Sequence, residues 1–233
     1  MSHGIVTLAL ELSQRVGSVA LSNESGECIT ALIDVGRREH DDVMPTIATL
    51  AEDLSVSPQL IKLVVLSIGP GGFTGLRTSV AIAKMVSLVS GAKIVAIESA
   101  ITTVVSSEPQ FGSYFVISGV KQDSFWLSKV TPGGEFWQCN SGLSSLEEFQ
   151  SRLGEVEGVF GDTYAPEIVS ELCASSDTPF LPVAPTATSL LHLGQKYFQK
   201  GVFTNPLALV PLYPREPEAV RLWKNKHGSD KTT

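Results

Sequence analysis

Ser67-Ile68-Gly69-Pro70-Gly71-Gly72-Phe73-Thr74-Gly75-Leu76-Arg77 joins an apolar run, residues 63–67, to a long apolar segment, residues 74–90. A strand, a glycine-rich turn and a helix in that order place backbone N–H groups and a helix start where an anion could meet them. The stretch matches neither common phosphate motif. No lysine follows the glycines as in a Walker loop, and Thr74 stands where the dinucleotide fingerprint needs its third glycine. Two readings follow from the residues. The turn is either a phosphate site of another kind, with Gly69, Gly71, Gly72 and Thr74 as its backbone, or a sharp bend whose glycines allow close packing. A valine at Gly72 is expected to be costly if that residue needs a positive φ.

Outward from this turn the chain reads as a repeated unit. Residues 5–12 are almost wholly apolar, as a central strand should be. Residues 17–22 and 27–35 read as two more strands, with the turn signal Asn23-Glu24-Ser25-Gly26 between them. Residues 41–54 place Val43, Met44, Ile47, Leu50, Ala51 and Leu54 at helical spacing, with Asp41 and Asp42 suited to the first turn. Strand 63–67, helix 74–90 and strand 93–97 complete the first half. The second half repeats the order more weakly. Strands are expected at 114–118, 124–130 and 135–139, with a turn at Thr131-Pro132-Gly133-Gly134. A helix at 145–153 follows, with Ser145 and Glu148 at capping-box spacing, then a strand at 156–160 and a helix at 166–174. A last helix spans 188–200. The expected division is a lobe over 1–103, a smaller lobe over 104–213 and a polar, mobile tail over 214–233.

The bulk composition bounds the function. The 233 residues carry 17 basic and 24 acidic side chains, a net charge of −7, which argues against a surface that grips nucleic acid by itself. Three cysteines, Cys28, Cys139 and Cys173, are widely spaced and odd in number, which fits a reduced, cytoplasmic setting better than a disulfide scaffold or zinc knuckle. No signal peptide or membrane span is evident. The four histidines, His3, His40, His192 and His227, are never four residues apart, so a metal site is not expected. No Gly-x-Ser-x-Gly elbow occurs.

A duplicated three-strand α/β unit with a glycine-rich turn after the fourth strand resembles the actin/sugar-kinase/Hsp70 superfold, a ribonuclease H-like architecture. Particular segments narrow this. Leu8-Ala9-Leu10-Glu11-Leu12-Ser13 with Gly17-Ser18-Val19-Ala20-Leu21, Arg38-Glu39-His40 before Met44-Pro45, the glycine stretch through Arg77, and Pro211-Leu212-Tyr213-Pro214-Arg215 occur in that order. Together they resemble the bacterial TsaB (YeaZ) family over the chain to about residue 215. The resemblance implies an accessory, non-catalytic subunit of the machinery that places a threonylcarbamoyl group on adenosine beside the tRNA anticodon. It implies pairing with a catalytic TsaD-like subunit, joined by a TsaE-like ATPase, with tRNA met only indirectly.

Two departures from the family pattern stand out. Glu11 replaces the usual aspartate, and Ser118-Gly119-Val120-Lys121-Gln122-Asp123 replaces an Asp-Ala-Arg-Arg-x-Glu turn. TsaD relatives hold a metal through a His-x-x-x-His pair just beyond the strand at 93–97. Here that place reads Glu98-Ser99-Ala100-Ile101-Thr102, without histidine. Glu11 reads either as a general base or metal-water ligand, as in kinases of the superfold, or as a carboxylate that hydrogen-bonds the neighbouring turn. His40 reads as a polar residue at a helix start or as a functional contact.

The helix at 74–90 is apolar nearly all round, interrupted by Arg77, Lys84 and hydroxyls. It is either buried under the helix at 41–54 or presents an apolar patch to a partner. The family resemblance implies the second, with Val43, Met44, Ile47, Val80, Ala81, Lys84, Met85 and Leu88 as candidate contacts. Two rival readings remain: an active phosphotransferase or metal-dependent hydrolase using Glu11 and the glycine turn, and a binding module that forms a homodimer when alone. No cofactor is expected.

Overall fold

The computed structural model describes residues 4–34, 42–121, 124–162 and 165–213. The described chain forms two five-stranded mixed sheets of the same topology. The first contains β1 (Thr7–Glu11), β2 (Val16–Ser22), β3 (Cys28–Asp34), β4 (Leu63–Ser67) and β5 (Lys93–Ile97) in the order β3-β2-β1-β4-β5. The second contains β6 (Tyr114–Lys121), β7 (Ser124–Gly133), β8 (Phe136–Ser145), β9 (Gly158–Gly161) and β10 (Phe180–Pro182) in the order β10-β9-β6-β7-β8. Read from the other edge, the second order repeats the first. In each sheet the three leading strands form an antiparallel meander, and the two later strands join parallel beside its first strand. The two halves are therefore duplicates in space as well as in sequence order.

Among the described residues six α-helices fill the spaces around the sheets: α1 (Val43–Asp53), α2 (Phe73–Ser90), α3 (Ser99–Ser106), α4 (Leu146–Arg152), α5 (Glu167–Ser175) and α6 (Ala187–Gln199). The apolar clusters give the layering. Leu8, Leu10, Val64 and Leu66 face α1 and α2. On the opposite face Ala9, Leu63, Val65 and Val95 pack with α3 and α6, and so do Val116 and Val130 of the second sheet. Phe115, Phe125 and Leu127 turn away toward Phe149 of α4 and Val169 of α5. The layers run helix, sheet, helix, sheet, helix. β1 and β4 are buried along their whole length because both faces are covered, which explains their unbroken apolar sequence.

The end of the second half packs beyond its own sheet. Helix α6 crosses back onto the first sheet, and residues 201–213 follow it, with Leu209 only 2% exposed in the first lobe's core. Gly194 makes the crossing close: a Cβ there would lie 2.2 Å from Val65 Cγ2. Gly194→Ala should therefore destabilise the fold by about 1–3 kcal/mol, the usual cost of overpacking, through the α6 contact alone. Urea denaturation of the two proteins checks this, and equal midpoints would contradict it.

Other differences from the sequence reading are local. Helix α3 and strand β10 went unread, and β8 continues to Ser145 instead of stopping near Cys139. The hairpin between β7 and β8 turns at Gly134 (φ 79°), so Pro132 and Gly133 belong to the strand. Asp42 sits at the start of α1 without a side-chain cap bond. Ser145 does cap α4, accepting from Glu148 N–H at 3.2 Å. Asp41, the Arg38-Glu39-His40 segment, Gln122 and Asp123, and the tail over 214–233 lie outside the described residues.

Candidate functional site

The glycine turn is built around Ser13. Gly72 N–H donates to Ser13 O at 2.7 Å, and a Cβ on Gly71 would lie 2.4 Å from that same oxygen. Gly69 has φ +111°, and a Cβ there would meet Leu212 O at 2.6 Å. These two glycines are required by space and backbone. Gly72 is not: its φ is −63°, and a Cβ there would meet only Ser13 O, at 3.6 Å. The expected positive φ at Gly72 is thus corrected, and Gly69 carries it instead. Gly71, Gly72 and Thr74 stand on the surface at the start of α2.

Glu11 lies directly beneath. It is 1% exposed and accepts at Oε1 from Ser13 N–H (3.0 Å) and Ser13 Oγ, and at Oε2 from Ser67 Oγ, which also meets Thr102 Oγ1 at 3.2 Å. Among the described residues the Ser13 and Ser67 hydroxyls enclose the carboxyl. That is the geometry of a turn-holding carboxylate and not of a general base, which must reach the proton it moves. Burial raises the Glu11 pKa above its ordinary 4.5, while its bonds from Ser13 and Ser67 pull it back. The folded protein therefore holds this proton more tightly than the unfolded chain. The contribution to stability is complete below 4.5 and declines as pH rises through the folded value. Glu11→Gln cannot titrate. The stability of the wild type relative to this variant should fall between pH 4 and pH 8 in matched urea melts, and a constant difference would contradict it.

Described residues of the two lobes meet around Pro70, Ser99, Ser118 and Asp162. A cavity of about 10 Å³ remains, lined by residues that include Gln14, Pro70, Ser99, Ser118 and Asp162. The Ser99 and Ser118 hydroxyls are buried there without a hydrogen-bond partner. Among the described residues no group of three metal-ligating side chains forms. Burial raises the thiol pKa of Cys28, Cys139 and Cys173, to about 12 for Cys139 and about 11 for Cys173, which leaves none of them suited to nucleophilic work.

The outer face of α1 and α2 differs in character. A groove of about 230 Å³ runs between them, lined by Met44, Ile47, Ala48, Met85, Val86 and Val89 among others. Beside it Leu88 is 86% exposed and Val89 72%. Of the candidate contacts, Met44, Ala81, Met85 and Leu88 are exposed, and Ile47 and Lys84 half-buried. Val43 and Val80 belong to the core beneath, so they are removed from the surface set: the inward stripe of each helix takes them. The signal missed in the sequence is Val89, which continues the bare face by one residue.

Phe73, Arg77 and Tyr213 close the start of α2. The Arg77 guanidinium lies 3.7 Å from the Phe73 ring centre, and its Nε donates to Tyr213 Oη at 3.1 Å. The described part of the terminal Pro211-Leu212-Tyr213 segment therefore clasps the glycine turn.

A twice-repeated meander with parallel additions, helices between the sheets and a glycine turn after the fourth strand define a protein of the actin-like, duplicated-lobe α/β class. Within that class its fold is similar to that of YeaZ. Residues 34–135 match the family model described as TsaD: tRNA N6-adenosine threonylcarbamoyltransferase. A crystal structure of an uncharacterized protein with similarity to peptidase YEAZ from Pseudomonas aeruginosa superposes with a TM-score of 0.72 at 16% identity, covering 91% of this chain and 100% of that one. YeaZ from Pseudomonas aeruginosa superposes with a TM-score of 0.68, also at 16% identity, covering 90% of this chain and 100% of that one. Among the described residues no helix is long and apolar enough to cross a membrane.

Proposed function

We propose that this chain is a non-catalytic subunit that supports a TsaD-like catalytic partner in tRNA threonylcarbamoyl-adenosine synthesis. The observation that carries the reading is the bare apolar face of α1 and α2, with Met44, Met85, Leu88 and Val89 turned to solvent. A patch of this kind on a folded chain is where another protein docks. The burial of Glu11 among Ser13 and Ser67 favours a scaffold over the rival phosphotransferase or hydrolase. The match of residues 34–135 to the TsaD model supports a TsaD-like partner, which a TsaE-like ATPase would join.

Affinity capture of the full chain from its native cytoplasm tests the reading. Recovery of a TsaD-like protein in stoichiometric amount is the expected result. Recovery of a lone homodimer would support the binding-module rival instead. The isolated chain should bind tRNA weakly, because a net charge of −7 repels the phosphate backbone. Filter binding at physiological salt checks this, and tight binding without partners would contradict the indirect role.

A further inference from the structure

The two sheets end in four edge strands, β3, β5, β8 and β10. An open edge carries backbone N–H and C=O groups that another strand can take. Folded proteins guard such edges with cover, shortness, charge or proline. Three of the four are guarded in these ways. Along β5, Thr204 N–H donates to Ile94 O (2.8 Å) and Thr204 Oγ1 accepts from Ala96 N–H (3.0 Å). Strand β10 is three residues long and ends in Pro182. Strand β3 ends in a charge, Asp34.

Strand β8 has none of these devices. Its ten residues, Phe136–Ser145, include no charge and no proline. Its register with β7 runs from Ser145 opposite Ser124 to Phe136 opposite Gly133 without a bulge. Among the described residues no strand or loop backbone bonds to its outer side. Gln138, Asn140 and Leu143 are exposed along it.

The side chains of β8 complement one another when the strand is laid antiparallel to a second copy of itself about Asn140. Trp137 then stands opposite Leu143, which is 55% exposed, so an indole covers a bare aliphatic side chain at each end. Gln138 stands opposite Gly142, where a Cβ would meet nothing within 4 Å, so the longer side chain has room. Cys139 faces Ser141, and Asn140 faces its own copy. No like charges are brought together, since the strand has none. The backbone suits the same register. In an antiparallel ladder alternate residues turn both backbone groups to one neighbour. Pairing about Asn140 joins even-numbered residues to even and odd to odd, so residues turned outward on one copy meet those turned outward on the other.

We propose that β8 is a self-association edge: two copies pair β8 to β8 on a two-fold axis at Asn140 and continue as one ten-stranded sheet. A single strand pair buries less than the roughly 1,200 Å² at which standard interfaces begin. The dimer is therefore weak, with a Kd on the order of 10–100 µM. The edge belongs to the second sheet and not to the face of α1 and α2, so the inference does not rest on the partner reading above.

Sedimentation equilibrium of the full chain, at concentrations below and above that Kd, tests it. The wild type should pass from monomer to dimer as concentration rises. Asn140→Lys and Asn140→Asp each place like charges opposite one another on the axis, at an exposed position that leaves the fold intact. Each alone should weaken the dimer about three- to tenfold. An equimolar mixture of the two should restore the wild-type affinity, because Lys then faces Asp. A wild type that stays monomeric at about ten times that Kd would overturn the inference. So would a mixture that associates no better than either variant alone. A dimer dispersed by Met85→Glu but unmoved by both Asn140 variants would also overturn it, placing self-association on α1 and α2. None of these failures touches the TsaD-like partner reading, which is read from capture of that partner.

Discussion

Gly71→Ala lowers stability by about 3 kcal/mol, whereas Gly72→Ala costs about 1 kcal/mol or less. The two glycines are adjacent and equally exposed to view in the sequence, yet their surroundings differ. A methyl on Gly71 would meet Ser13 O at 2.4 Å, Ser13 Cβ at 2.7 Å and Ser13 Cα at 2.8 Å. These atoms cannot yield cheaply, because Ser13 is tied from both sides. Its N–H and hydroxyl donate to Glu11, and its carbonyl accepts from Gly72. Moving Ser13 would disturb the buried carboxyl and leave donors around Glu11 without their acceptor, which costs about 1–3 kcal/mol for each buried group affected. At Gly72 the backbone is already in a region that any residue adopts, and the nearest atom is 3.6 Å away. Its only handicap is its position at the start of α2, where alanine caps less well than glycine. For a chain of this size, 3 kcal/mol corresponds to a fall of about 6–12 °C in Tm. Thermal melts of the two variants check the contrast. Equal Tm values would mean that the turn is not pinned to Ser13.

The same comparison shows what sequence can and cannot carry. The strand–turn–helix character of residues 63–90 was legible because apolar runs and glycines report local geometry directly. The duplication was legible because each half repeats the order of elements, and the sheets bear it out. Which glycine is indispensable was not legible, since that depends on Ser13, more than fifty residues earlier in the chain. The placement of α6 was hidden for a similar reason. Its apolar face was clear, but an amphipathic helix does not name the sheet it covers. Gly194 opposite Val65 decides it, and a glycine within a helix carries no address in sequence. Helix α3 was missed because Ser99, Thr102 and Thr103 make it look polar. In the fold all three are buried, Thr103 Oγ1 donating to Ser99 O at 2.9 Å and Thr102 meeting Ser67.

The candidate site divides along the same line. Helical periodicity gave the apolar character of α2 correctly, but not which residues face out. The apolar residues are distributed all round, so the wheel has no clear polar side to orient it. Only the position of the first sheet separates Val80, in the core, from Ala81 and Met85, on the surface.

That separation sharpens the expected effects of mutation on assembly. Met85→Glu should lower affinity for a TsaD-like partner at least about hundredfold, from a cost of about 3 kcal/mol or more for an unpaired carboxylate buried at an interface. The free chain should keep its Tm, because the Met85 side chain is 46% exposed and a carboxylate there can stay in water until the partner arrives. Ala81→Arg should act similarly, by bulk and charge together, from the same outer face. Val80→Glu makes the contrast. At 9% exposure it would place the charge in the first lobe's core and unfold the chain, so any loss of binding would follow loss of structure. Titration of a purified partner onto each variant, with a thermal melt of the same sample, separates the two outcomes. Undiminished affinity of both Met85→Glu and Ala81→Arg would remove α2 from the interface. A wild-type chain that self-associates, and is made monomeric by Met85→Glu without ever binding a TsaD-like partner, would assign the face to a homodimer.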